Sequence, residues 1–543
     1  MELLIALQIA LIIATIGYFI LNSLSKDQHK IINELKDKGN YEEALKRLLK
    51  MFQRNKDDVR VIYELGEVNR LLKNNLEAIG YYLQLIEKDA FPPITTKGEV
   101  LKQVGLLFLQ EKKVQEAFYY LYYASYFLPA DKDINYSLFR ILFEEENFQL
   151  ADTFGQRALP FYNKDPIFLT DFGVTKIDLG KYGEAIEILE KALSSKNVKT
   201  RIALGFTLIK LGGYRRAIDI LAPMLTEDNI PSSAVYLIYK MLVYANIYLK
   251  NFNDTMRYWD QFLSFATSKN LASVIREIGF GIFMTYLYFS KYESAKSTLE
   301  TLKEYDISDA VVNAVSTFID EAIKNINLKK EMKPYDLKAI KEIDNYVNSW
   351  LNSSLRAREI VDALYPRKEQ KEKINVVEII KKVQEEMNLH NQKIKDLISS
   401  SAGSGLSPED EADVCDMFTN RLDEKTFASI SEELVKALGF NILKKIETES
   451  FLESEGVDYI CSRSKEKDRY YVAVRRWGSN EIGKIAIVDI NQKSIENNCE
   501  KVMIISSSPL TNEAQDYVEK NSRIEFKTCK ELAGIIKAVI SSV

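Results

Sequence analysis

Gly180-Lys181-Tyr182-Gly183-Glu184-Ala185 and Gly212-Gly213-Tyr214-Arg215-Arg216-Ala217 spell one short pattern twice, 32 residues apart. In each, glycine supplies a tight turn, an aromatic follows, and a small residue stands where two helices approach closely. Gly39-Asn40-Tyr41-Glu42-Glu43-Ala44 and Asn75-Leu76-Glu77-Ala78 share the form, while Val114-Gln115-Glu116-Ala117 and Lys291-Tyr292-Glu293-Ser294-Ala295 vary it. The small position falls at 44, 78, 117, 151, 185, 217, 255 (a threonine) and 295, with intervals of 34, 39, 34, 34, 32, 38 and 40. Gly66, Gly105, Gly173 and Gly205 each lie twelve residues before Ala78, Ala117, Ala185 and Ala217. A small residue in a first helix is therefore expected to face a small residue in the second. Pro129 then ends the helix that contains Ala117 and Ala124.

The period, with Leu65-Gly66, Ala78 and Tyr82, resembles the tetratricopeptide repeat (TPR). That resemblance implies about eight stacked helix pairs between Ile31 and Asn327 and a groove that takes other proteins. The family's signature tryptophan is absent, and the units around Ala151, Thr255 and Ala295 are degenerate. Tyrosines are dense, as in Tyr119-Tyr120-Leu121-Tyr122-Tyr123, and suit either packing between helices or a partner-binding groove.

Ahead of the repeats, residues 3–21 read LLIALQIALIIATIGYFIL without a charge. Nineteen helical residues span about 28 Å, the thickness of a bilayer's hydrocarbon core. Met1-Glu2 gives no basic leader and Ser23-Leu24-Ser25 is a poor cleavage site, so residues 1–24 are expected to form an uncleaved anchor. Lys26, Lys30, Lys36 and Lys38 follow the span and no cation precedes it. The positive-inside rule then puts the bulk of the chain in the cytoplasm, on a single pass through a bacterial inner membrane, the periplasmic orientation being the alternative.

The 543 residues exceed one hydrophobic core, and 46% hydrophobic with 28% charged residues describes a folded chain. Eleven prolines and 22 glycines favour long helices, and a net charge of −5 excludes a globally basic nucleic-acid binder. The two histidines, His29 and His390, are too few and too far apart for a histidine triad or a His-based zinc site. Cys415, Cys461, Cys499 and Cys529 form no CxxC pair and read as free thiols.

Residues 328–398 keep helical character with mixed charge and no repeat, and Trp350-Leu351 is expected to belong to a helix capping the solenoid. Residues 399–409, rich in serine and glycine, read as a linker. From 410 to 543 short β-prone runs alternate with helices. These are Asn441-Ile442-Leu443, Val457 to Ile460, Arg469 to Val474 and Lys501 to Ser506, with helices near Val488 to Asn497 and Thr511 to Lys520. The alternation implies a small α/β sheet domain. The fold class is therefore mainly α: a transmembrane helix, a TPR-like solenoid and a small α/β domain.

Phe427-Ala428, Leu438-Gly439-Phe440, Gly456-Val457-Asp458, Val472-Ala473-Val474-Arg475-Arg476-Trp477 and Ile504-Ile505-Ser506-Ser507 together resemble the Mrr-like restriction endonuclease domain. That family's chemistry implies a divalent metal on Asp458, a second oxygen ligand at position 473, and a lysine at 475 that polarises water. Here Ala473 offers no oxygen, Arg475 replaces the lysine, and Ala428 replaces a glutamate. Asp458 and Arg475 are thus vestigial candidates for a catalytic site, and Asp458 for a metal. No cofactor is expected, and Mg²⁺ only if the domain is a working nuclease. Arg475, Arg476 and Trp477 form a candidate nucleic-acid contact. From Asp410 onward, 19 Lys/Arg face 24 Asp/Glu, which disfavours a phosphate backbone as partner.

These readings converge on a non-enzymatic, membrane-anchored scaffold that gathers other proteins through its repeats. The competing readings are a membrane-tethered metal-dependent DNA endonuclease or DNA-binding protein, and an envelope or motility-apparatus scaffold.

Overall fold

The computed structural model describes residues 28–542 except 196, 228–229, 305–315, 317, 321, 325–333, 367–372, 401–410, 413, 416, 423, 447–455, 464–467 and 477–480. The expected anchor at 3–21, most of the expected linker and Trp477 lie outside the described residues. Among those described, no helix is long and apolar enough to cross a membrane. The chain divides into two compact units, Met1–Ile141 with Lys373–Val543, and Leu142–Glu372.

In the first unit, residues 28–37 pair with α1 (Tyr41–Arg54), α2 (Val59–Leu71) with α3 (Asn75–Lys88), and α4 (Lys97–Gln110) with α5 (Val114–Phe127), before α6 (Lys132–Glu144). The second unit opens with α7 (Phe148–Tyr162). Four hairpins follow: α8 (Pro166–Asp178) with α9 (Tyr182–Ala192), α10 (Val198–Lys210) with α11 (Tyr214–Leu221), α12 (Ser232–Tyr248) with α13 (Phe252–Ser268), and α14 (Ala272–Tyr288) with α15 (Tyr292–Glu304).

One local device makes the turn within each of the described hairpins. Gly39, Lys73, Lys112, Glu146, Gly180, Gly212, Lys250 and Ser290 all have positive φ, and each lies five residues before its small position. The next residue's N–H returns to the carbonyl five back, as Lys181 to Lys176 at 2.8 Å and Lys291 to Tyr286 at 2.8 Å. This double closure satisfies carbonyls that a helix end would otherwise orphan. The units around Ala151, Thr255 and Ala295, degenerate in sequence, keep this backbone. At Thr255 the hydroxyl donates to the Asn251 carbonyl at 2.7 Å, so a polar residue serves at a fully buried small position.

The close approach differs by one turn from the sequence expectation. A Cβ built on Gly66, Gly105, Gly173 or Gly205 would lie 2.5–2.7 Å from the side chain of Tyr82, Leu121, Leu189 or Leu221, four residues beyond the alanine. Side chains on a helix lean toward its N-terminus, so that residue, rather than the alanine, covers the glycine. Ala78, Ala117, Ala185 and Ala217 are themselves fully buried.

α16 (Pro334–Ser354) and α17 (Ala357–Leu364) complete the second unit. Trp350 meets the Tyr244 ring of α12 at 5.4 Å, and α16 packs against α14. It therefore lies along first helices of the hairpins, that of the last hairpin among them, and the α12 face supplies its aromatic with an apolar partner.

The first unit resumes with α18 (Val376–Ser400), α19 (Glu424–Ala437) and a five-stranded sheet in the order β1-β2-β3-β4-β5: β1 (Phe440–Ile446), β2 (Gly456–Arg463), β3 (Arg469–Arg475), β4 (Lys501–Ser506) and β5 (Ile524–Thr528). β1, β2 and β3 pair antiparallel, and β3, β4 and β5 parallel. The parallel pairs require crossovers, supplied by α20 (Lys484–Glu496) and α21 (Asn512–Lys520). α19 and the C-terminal α22 (Cys529–Ser542) cover one face through Tyr459, Val472 and Ile505, and α20 and α21 the other through Ile460, Ala473 and Ile504. This strict alternation along β2, β3 and β4 decides where the site residues point.

Candidate functional site

β2 and β3 position the pair that the sequence singles out. Asp458 stands directly opposite Ala473, and Gly456 opposite Arg475. A Cβ on Gly456 would fall 1.9 Å from the Val474 carbonyl oxygen and 3.0 Å from Arg475 Cδ. Only glycine lets β3 and the arginine stem come so near. The Arg475 guanidinium then reaches Asp458, Nη1 to Oδ1, at 2.6 Å, with the side chains 1% and 0% exposed. Tyr471, two residues before Ala473 on the same strand face, donates its hydroxyl to Asp458 Oδ2 at 2.8 Å. Burial, reinforced by the Asp458 carboxylate, raises the Tyr471 pKa and keeps it a donor. Ser506, at the end of β4, pairs in register with Arg475.

Oδ2 thus accepts a hydrogen bond from Tyr471, while Oδ1 faces the Arg475 guanidinium as a buried ion pair without a hydrogen bond of its own. A divalent cation needs several oxygen ligands. Ala473 supplies none, and among the described residues no group of three His, Cys, Asp or Glu side chains could hold a metal. The donor set does not fit Mg²⁺, and the guanidinium occupies the cation's electrostatic role beside Asp458.

The sequence-expected contact patch is redistributed. Arg476 is 6% exposed, donates from Nη1 to the Leu422 carbonyl at 2.6 Å and lies 5.2 Å from the Phe427 ring centre. It ties residues 417–422 to the sheet and, with Arg475, is buried rather than presented at the surface. Ala428 packs against the core beneath α19. Sequence reasoning missed Tyr471, whose role is visible only once the strand register puts it over Asp458.

The tyrosine-rich α5 also finds its neighbour in the first unit. The Lys382 ammonium of α18 sits 4.9 Å from the Tyr119 ring centre. Burial, then a hydrogen bond with Glu386 of the same helix, raises the Tyr119 pKa. This tyrosine face is packed by the chain itself.

Residues 419–536 match the Mrr_cat family, described as restriction endonuclease. No curated protein matches. Among solved structures, the chain is similar to a tetratricopeptide repeat protein from Parabacteroides merdae at 13% identity and TM-score 0.27, covering 47% of this chain and 98% of that one. It is similar to the C-terminal part of a TPR repeat-containing protein from Cytophaga hutchinsonii at 13% identity and TM-score 0.28, covering 46% of this chain and 92% of that one. The TPR2AB domain of yeast Sti1, in a pHSP90 complex, matches at 13% identity and TM-score 0.19, covering 41% of this chain and 99% of that one.

Proposed function

We propose that this chain is a membrane-tethered scaffold whose helical hairpins gather other proteins and whose restriction-endonuclease-like domain is no longer catalytic. The observation that carries the second half is the buried Asp458–Arg475 ion pair, with Tyr471 hydrogen-bonded to Oδ2, where the family's chemistry needs a carboxylate open to a cation. The first half is supported by eight turns of one geometry at one offset, the backbone signature of stacked hairpins. Tethering is supported by the uncharged residues 3–21, with the lysines that follow favouring a cytoplasmic bulk at a bacterial inner membrane.

The test is capture from cross-linked membranes with the full chain as bait. Reproducible partners that disappear when the second unit's hairpins are disrupted, together with loss of membrane sedimentation on deleting residues 3–21, are expected. A full chain that stays in the soluble fraction, or captures nothing hairpin-dependent, overturns the reading.

The family match and the retained Asp458 favour a second reading, a tethered metal-dependent DNA endonuclease. Arg475 and Arg476 would serve a DNA-binding version only if both left their buried partners.

A further inference from the structure

Residues 356–365 lie on the face formed by α8, α10 and α12, the first helices of three consecutive hairpins in the second unit. Ile360, Val361 and Leu364 of α17 are buried, the spacing of an amphipathic helix laid into a groove. Polar contacts surround that ridge. Arg358 reaches Glu146 at 2.7 Å, and Glu359 meets Lys240 at 2.5 Å. At the end of the segment, Tyr365 donates its hydroxyl to Asp171, its ring meets Phe143 edge-on at 4.9 Å, and the Lys199 ammonium lies 3.7 Å from its centre. Cation, anion, apolar ridge and aromatic tip each meet a partner on that face, although Lys240 also pairs with Glu277 and Arg358 with Asp362 of its own helix.

The helix that makes these contacts is two turns long, too short to persist without them. Its ion pairs are about one-third exposed on the segment's side, where such pairs contribute little. A cavity of about 800 Å³ borders Glu359 and is lined by Lys240, Tyr244, Trp259, Phe262 and Trp350, so the groove extends beyond what α17 covers.

We propose that the α8–α10–α12 face is a binding groove for a short amphipathic helix, that residues 356–365 occupy it in cis, and that a partner carrying the same groups binds by displacing them. The partner helix bears an arginine, then a glutamate, an apolar ridge at the next positions, and a tyrosine at its C-terminal end. This deepens, and rests on, the reading of the hairpins as a protein-capturing scaffold. A tethered occupant competes at high effective concentration, so the groove is closed to weak ligands and opens to strong ones.

The test uses a fluorescein-labelled peptide of residues 354–366 and the full chain in detergent micelles. Peptide affinity for the double variant Arg358→Glu/Tyr365→Ala, altered only in the cis segment, is expected to exceed that for the unaltered chain by about tenfold or more. Adding Lys199→Ala to that variant is expected to weaken the peptide again. In the unaltered chain, saturating isotopically heavy peptide is expected to accelerate amide exchange of residues 357–364, a readout that needs no variant. Peptide that binds the variant no better than the unaltered chain, or leaves exchange of 357–364 unchanged at saturation, overturns the proposal. If that happens while hairpin-dependent capture from membranes persists, only this inference fails; if both fail, the scaffold reading fails with it.

Discussion

Arg475 Nη1 stands 2.6 Å from Asp458 Oδ1, and neither side chain reaches solvent. Two strands, one glycine and one tyrosine converge to bury this ion pair where an endonuclease would expose a metal-binding carboxylate. Buried pairs are costly to assemble and costlier to break from one side, because the survivor is a buried, uncompensated charge.

Asp458→Leu is therefore expected to destabilise β2 and β3 by about 3–5 kcal/mol, and Asp458→Leu/Arg475→Met by much less. Amide exchange in the two strands across a denaturant series measures both. Equal losses in the single and double variants would show that the side chains are not coupled.

Gly456→Ala forces a methyl to within 1.9 Å of the Val474 carbonyl, so the β2–β3 ladder must open. A loss of about 3 kcal/mol or more is expected, beyond ordinary overpacking. Gly183→Ala, with nothing within 4 Å of its new Cβ, is expected to stabilise α9 by up to about 1 kcal/mol. Thermal melts of the two variants should move in opposite directions.

The turns give a second pair of opposite signs. Lys250 has φ of 56°, a left-handed conformation that costs a side-chain-bearing residue about 1 kcal/mol, and Lys250→Gly should recover about that amount. Gly212 has φ of 81°, and Gly212→Ala should lose a similar amount. Both lie in the second unit and are read by exchange in the flanking helices.

Thiol chemistry should separate the cysteines. The hydrogen bond from Cys529 lowers the Cys415 pKa, whereas burial pushes Cys461 up to about 12. The thiolate is the nucleophile, so the lowered pKa favours the reactive form of Cys415, which is partly exposed, whereas the buried Cys461 stays protonated. Iodoacetamide at pH 7.5 is expected to label Cys415 first, with peptide mass spectrometry as the readout. Preferential labelling of Cys461 would contradict the packing of β2.

Much of the repeat architecture was legible because its constraints fall on single residues. Gly180, Gly212 and Gly39 mark left-handed turns, and Ala44, Ala185 and Ala217 mark fully buried positions one turn before the close approach. Glu146, Lys250 and Ser290 adopt the same backbone without glycine, so packing overrides their propensity and the sequence leaves no mark. β5 and α22 escaped notice because Ile524–Thr528 interleaves Glu525 and Lys527 at a sheet edge, lacking the apolar run of Lys501–Ser506. At the site, Asp458 and Arg475 could be named but not joined: their meeting depends on strand register, which no spacing along the chain reveals. The docking of residues 356–365 was equally hidden, since Tyr365 and Asp171 lie 194 residues apart.

The most direct test of a chain that assembles partners and leaves chemistry to others is a cleavage assay. The full chain is incubated with Mg²⁺ or Mn²⁺ and with supercoiled, linear duplex and single-stranded DNA, beside Asp458→Ala. No cleavage above that of the variant is expected on any substrate. Cleavage by the unaltered chain that Asp458→Ala abolishes would contradict the scaffold reading.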